Sequence, residues 1–249
     1  VLAGPADGSG GRAELARPVA VLADGGFLAR LSDVHAGPGD TTAIRRDPVP
    51  YARFDPDGRR VDAVGTFPDD ETFIYAVPGS RSVRPRAFGR ETAIAVRGDR
   101  IHVADNRAFQ VGVLDAGGRT LRVARAAVEP VPVDETAREA WTERELAGLT
   151  SSFLRRIAED AIRAMPFPDS MPYHGPLVVA DDGESWLARY SPDADEPTRW
   201  LVFGPDGRVV ARVQTPARFR LSQVGTDFVI GVARDALDVE RVVVYRLHR

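Results

Sequence analysis

The 249-residue chain has no cysteine and no lysine, and a single asparagine, Asn106. Without cysteine there can be no disulfide, thiolate zinc site or cysteine nucleophile. Without lysine there is no Schiff-base chemistry and no P-loop lysine, and the cationic side chains are arginines. No apolar run approaches the ~20 residues of a membrane-spanning helix. The net charge is −3 with no basic stripe, so nothing supplies a face for nucleic acid. The first residue is Val1 rather than methionine, from which removal of a leader or an earlier domain is expected. Hydrophobic content of 43% in this length suffices for a large core in one or two domains.

What the chain does have is a repeat. One turn signature occurs three times, as FDPDGRR at Phe54–Arg60, LDAGGRT at Leu114–Thr120 and FGPDGRV at Phe203–Val209. Each lies between two short apolar strands. Proline presets φ for the first central turn position, and glycine takes the positive-φ position as the next strand begins. A second hairpin signature precedes each of these: Val19–Arg30, Ile94–Asp105 and Leu177–Arg189, with a fourth copy at Leu221–Arg234. Joined, each unit is four antiparallel strands, A to D, at the ~40–45 residue period of propeller blades. The blades fall at about 18–67, 92–126, 176–215 and 218–248 within one β-propeller domain spanning 1–249. The last blade stops where its fourth strand should follow. Val1–Ala3 or Arg12–Ala16 is expected to pair with Val242–Tyr245 and close it.

Arg100–Leu121, RIHVADNRAFQVGVLDAGGRTL, resembles the NHL-type propeller repeat: a strand ending in V-A-D, a polar turn, a strand ending in Asp, a Gly turn and another strand. The whole chain is similar to the C-terminal two-thirds of bacterial six-bladed β-propeller proteins with NHL-like repeats. That resemblance implies an all-β fold of six blades and a place outside the cytoplasm, periplasmic or secreted. Two departures stand against it. In the other blades arginine replaces the terminal Asp, and four legible blades fall short of six. Either the chain is a fragment, or Glu71–Arg90 hides degenerate strands, with TFIYAV as one candidate.

Loop lengths are unequal. The A–B and C–D turns share one face of a propeller and are short. The long segments join B to C (Leu31–Pro50, Tyr190–Thr198, Arg234–Glu240) or D to A (Phe67–Glu91, Ala127–Gly175), on the other face. Loops carry function when a rigid scaffold positions them. The largest insertion, 133–166, reads as two helices capped by Asp134 and by Ser151 or Ser152. Leu154, Ile157, Ala158, Ala161, Ile162 and Met165 form an apolar stripe at helical spacing, suited to a lid on the rim. The alternative is a pair that gates the channel or docks a partner.

Aligned B-strand ends give Arg30, Asp105, Arg189 and Arg234, each after an alanine. Three guanidiniums round one mouth would hold a carboxylate or phosphate bidentately. They could equally be glue between blades, because Asp33, Asp193, Asp195, Asp235 and Asp238 lie nearby. His35 and His174 sit in connections of the long-loop face, whereas His102 lies inside a strand, on a blade surface or in a satisfied hydrogen bond. Six-bladed lactonases of the gluconolactonase and paraoxonase kinds hold calcium on several asparagines, a set that Asn106 alone does not supply. No nucleophile elbow, H-E-x-x-H, dinucleotide fingerprint or P-loop occurs. The leading expectation is a non-catalytic scaffold, without cofactor, that binds a protein partner or an anionic small molecule on its long-loop face. The alternative is a channel-mouth hydrolase or lyase, with or without a metal, using His35 or His174 with Asp105 and the ring of Arg30, Arg189 and Arg234. A third reading is an envelope scaffold with no ligand.

Overall fold

In the computed structural model, residues 2–3, 14–33, 41–77 and 80–248 are described. Leu2–Ala3 (β1) pairs with Glu14–Val21 (β2), and β2 with Phe27–Asp33 (β3). Ala43–Arg45 (β4) leaves this sheet, which Pro48–Phe54 (β5) and Arg60–Pro68 (β6) complete. Thr72–Val77 (β7) and Ser80–Pro85 (β8) join β4 in a small sheet of their own. Ala93–Arg97 (β9), Arg100–Ala104 (β10), Gln110–Leu114 (β11) and Thr120–Arg125 (β12) form the second blade. Two helices follow, Glu135–Ala147 (α1) and Ser152–Ala164 (α2). The third blade is His174–Val179 (β13), Ser185–Arg189 (β14), Thr198–Phe203 (β15) and Val209–Thr215 (β16). Phe219–Val224 (β17), Phe228–Arg234 (β18) and Glu240–Arg246 (β19) make the fourth. No helix among the described residues is long and apolar enough to cross a membrane.

One turn geometry recurs through the blades. The Gly58 amide donates to the Asp55 carbonyl at 3.0 Å, and the Asp55 amide to the Arg59 carbonyl at 2.9 Å. The same two bonds close Leu22–Gly26, Asp115–Arg119, Ala180–Glu184 and Gly204–Arg208. Each places a glycine at φ between +81° and +85°, the left-handed residue of a three-residue hairpin. Arg234–Glu240, expected as a long B–C connection, is this same turn: Asp238 takes the glycine position at φ +60°. Its short polar side chain tolerates that conformation, so the fourth blade adds nothing to the long-loop face there. At Gly118 glycine is also a packing requirement. A Cβ would lie 1.8 Å from the Val64 carbonyl oxygen of the preceding blade.

The sheets pack face to face as propeller blades do, with their first strands β2, β9, β13 and β17 as successive neighbours. Leu28, Val64, Ile101 and Leu114 fill the space between the first two blades. Phe109, Val111, Leu187 and Phe203 fill the next, and Trp186, Trp200, Val202, Phe219 and Leu221 the last. The all-β propeller class is what the repeat indicates. Chain closure differs from expectation. Leu2–Ala3 pairs with Leu15 and Ala16, and Glu14–Ala16 are already part of β2. Ala16 continues the alternation of that strand and is buried against Ala29 and Leu31. Among the described residues β19 therefore pairs with β18 alone.

TFIYAV is a strand, β7, but the sheet it forms with β4 and β8 is built from the B–C and D–A connections. The helices lie on this sheet. Phe73, Phe88, Val133 and Met165 form their common core, with Trp141 and Phe167 packed against it. Both expected caps are made: Asp134 accepts from the Ala137 amide (2.9 Å) and Ser151 from that of Leu154 (3.4 Å). The α2 stripe is covered only in its second half. Ala158, Ala161 and Ile162 are buried, while Leu154 and Ile157 are 54% and 41% exposed. The lid is short of surface to lie on at its N-terminal turn.

Trp186 and Trp200 meet with ring centroids 6.4 Å apart in the last inter-blade core, where each is 2% exposed. Trp186→Ala should therefore lose roughly 3–5 kcal/mol of stability. Urea unfolding followed by circular dichroism measures it, and an unchanged midpoint would contradict this packing.

Candidate ligand-binding site

The B–C turn of the second blade carries the only asparagine, at φ +62° and 1% exposed. Its carboxamide does the work of a neighbouring strand. Asn106 Nδ2 donates to the His174 carbonyl (3.0 Å), and the His174 amide donates back to Oδ1 (3.1 Å). Nδ2 also donates to the Glu91 carbonyl at 3.3 Å. One side chain thus joins the D–A connection, the B–C turn and the first strand of the next blade. A second strap comes from the first blade's B–C connection. Arg46 donates to the carbonyls of Asp69 and Asp105 and to the Thr92 hydroxyl. Beneath them Glu71, 7% exposed, is paired with Arg86 (3.0 Å) and Arg90 (3.1 Å).

Beside these straps opens a cleft of about 380 Å³, lined by Asp70, Glu91, Asn106, His174, Arg189, Tyr190 and Asp193 among others. His174, the first residue of β13, is 2% exposed. Its Nδ1–H donates to the Gly175 carbonyl at 2.8 Å, and Nε2 is buried without a hydrogen bond among the described residues. Burial holds its pKa below the ordinary imidazole value, opposed by the Gly175 carbonyl, by Asp105 and by the Ala104 carbonyl. The ring is therefore neutral at pH 7, with its proton on Nδ1. Burial raises the Glu91 carboxyl, with Asp70 adding to the effect. Burial likewise raises the Tyr190 hydroxyl.

Of the sequence-selected residues, the structure brings His174 and Arg189 together across the β13–β14 ladder, where they are register partners. Asp105 lies close enough to act on the His174 ring. Its own carboxylate accepts from the Arg107 amide (3.2 Å). Arg30 is ion-paired with Asp69, and Arg234 with Asp238 and Glu240. The Arg189 guanidinium makes no ion pair or hydrogen bond among the described residues, which sets it apart from the other two. His35 lies outside the described residues. No group of three or more His, Asp or Glu suited to a metal occurs among the described residues. Asn106, Glu91 and Asp70 were not among the selected residues. The signal for Asn106 was its place directly after the strand-ending V-A-D, where the chain must turn.

No protein-family model and no curated protein matches the chain. Among solved structures, it is similar to the glutaminyl cyclase of Myxococcus xanthus at 7% identity and a TM-score of 0.30, over 94% of this chain and 98% of that one. It is also similar to regucalcin, a calcium-binding protein of Agrobacterium tumefaciens strain C58, at 11% identity and a TM-score of 0.25, over 88% and 68% of the two chains. At such scores neither likeness bears on function.

Asn106→Asp keeps the acceptor for His174 and removes the donor for two carbonyls. It should cost roughly 1–3 kcal/mol for each group left unpaired, read as a fall in the urea midpoint. Equal stability would show the carboxamide to be dispensable. Acid sensitivity has a separate source in the buried His102, whose Nδ1 is 2.8 Å from Ser185 Oγ. Burial, then Arg122 and Arg100, lowers its pKa to about 4. Between the ordinary value near 6.5 and about 4, the unfolded chain binds a proton that the folded one refuses. Stability should thus fall as pH drops through that window, by about 3 kcal/mol at most from this residue. His102→Gln should flatten the same stretch of the stability–pH curve, and parallel curves for the two proteins would remove His102 as the cause.

Proposed function

We propose that this chain is a non-catalytic binding propeller whose long-loop face takes a small polar molecule in the cleft beside Asn106. The observation that carries this reading is Arg189. It is the one arginine of the three repeat positions left without an acidic partner among the described residues, and it lines the cleft. A guanidinium in that state binds a carboxylate or phosphate through parallel N–H bonds. The cleft also presents Asp70, Glu91 and Asp193, which disfavours a multiply charged anion. A ligand with one oxyanion group and amine or hydroxyl donors suits both kinds of wall. A kinship with bacterial six-bladed propellers carrying NHL-like repeats, acting outside the cytoplasm, belongs to the same proposal and rests on the Arg100–Leu121 motif.

One observation favours the hydrolase or lyase alternative: a carboxyl raised by burial, Glu91, shares the cleft with a neutral imidazole. Against it, no hydrogen bond among the described residues joins an acid, a base and a nucleophile there. The Ser191 hydroxyl in the cleft wall already bonds to the Asp193 carbonyl and the Glu196 carboxylate.

Calorimetric titration of amino acids, sugar acids and sugar phosphates against wild type and Arg189→Ala tests the proposal. Wild type should bind a member of the panel with an affinity that weakens with salt. Arg189→Ala should weaken it by about tenfold or more. Equal affinity in the two proteins, or chemical conversion of the ligand, would overturn the binding-module reading.

A further inference from the structure

The opposite face, where the short turns gather, has its own cleft between the second and third blades. Its volume is about 590 Å³, and its walls come from the A–B turns of both blades, β12 and Pro205. His102 lines it from β10, 1% exposed, with Nδ1 at Ser185 Oγ and Nε2 without a hydrogen bond among the described residues. Arg122, on β12, donates through Nη1 to the Pro205 carbonyl, while its Nε is buried with no hydrogen-bond partner among the described residues. Arg100 lines the same cleft, and its guanidinium makes no ion pair or hydrogen bond among the described residues. The remaining charged groups are Arg97, Asp99, Asp181 and Asp182. Arg97 and Asp181 neutralise each other as an ion pair, and Asp182 Oδ1 accepts from the Glu184 amide. The charges that reach the imidazole are Arg122 and Arg100. The six charged residues lining the cleft balance, three arginines against three aspartates, but the two that act on the His102 ring are both arginines.

We propose that the turn-face cleft is a second binding site, for a compact oxyanion held by Arg100, Arg122 and the His102 imidazole. Carboxylates and phosphoryl groups share that chemistry, and both fit the forked guanidinium donors. Binding is coupled to protonation. The two arginines and burial disfavour the imidazolium, and an anion between the guanidiniums offsets their field and accepts a hydrogen bond from Nε2–H. Bound anion raises the His102 pKa, so by reciprocity acidification tightens binding.

Nuclear magnetic resonance titration of the histidines, with and without sulfate, is the test. Sulfate keeps its charge over the range, so any pH dependence belongs to the protein. Saturating sulfate should raise the His102 pKa by about one unit, equivalent to about tenfold tighter binding to the protonated form. Arg100→Gln and Arg122→Gln should each weaken sulfate about tenfold and raise the pKa of His102 in the anion-free protein. Parallel titrations with acetate and inorganic phosphate tell a carboxylate site from a phosphoryl site. A His102 resonance and pKa indifferent to sulfate would overturn the proposal. So would sulfate binding that survives Arg100→Gln and disappears in Arg189→Ala, which assigns the anion to the long-loop face instead.

Discussion

Asn106 gives the first residue of β13 an acceptor for its amide and a donor for its carbonyl, as a paired strand would. The exchange takes place at 1% exposure, where a missing partner would leave backbone groups desolvated and unpaired. It fixes where the third blade begins relative to the turn that ends the first hairpin of the second. From that follows the position of Arg189, the ladder partner of His174. The third bond, to the Glu91 carbonyl, brings the D–A connection to the same point. The loop-face cleft is thus set by backbone hydrogen bonds gathered on one carboxamide, and its charged walls stand on that frame.

Electrostatics then sorts the arginines. Glu71 holds Arg86 and Arg90, Asp69 holds Arg30, and the Asp238–Glu240 pair holds Arg234. Arg46 spreads its donors over two carbonyls and a hydroxyl from three separate segments. A lysine's single ammonium could not span that set as the fixed guanidinium fork does. With arginine as the chain's strong cation, connections that would otherwise be loose loops are tied to the blades. Against that background a cleft-lining guanidinium with no ion pair or hydrogen bond among the described residues is the exception: Arg189 on one face and Arg100 on the other.

What was legible in the sequence was local. The turn at Phe54–Arg60, Leu114–Thr120 and Phe203–Val209 depends on a few consecutive residues, and its hydrogen bonds recur from blade to blade. The helix caps at Asp134 and Ser151 are equally local. The misreadings were non-local. The small sheet joins Ala43–Arg45 to Thr72–Val77, and no nearest-neighbour pattern specifies such a pairing. Glu14–Ala16 look weak as a strand until Leu31 and Ala29 cover one side of them. Leu154 and Ile157 have the right spacing for burial, but periodicity sets only the face of a helix, and the neighbour must supply the surface. Arg30, Arg189 and Arg234 were equivalent by repeat position, while their partners come from unrelated connections. Asp238 shows the converse, a long connection by length that folds as the recurrent turn because aspartate accepts the left-handed conformation.

The two clefts lie at opposite ends of one strand. His102 is inside β10 and Asn106 just past its end, four residues on, which is roughly 13 Å at the usual strand rise. Between those ends the blades are filled by Phe109 and Phe203, with ring centroids 6.2 Å apart, and by the fully buried Leu187. Such a core is close-packed, and any shift passed along it must repack these rings. The remaining route is electrostatic, and salt screens it little where it runs through the buried core. The packed inter-blade core thus separates the two clefts, and each face presents its own set of charged residues.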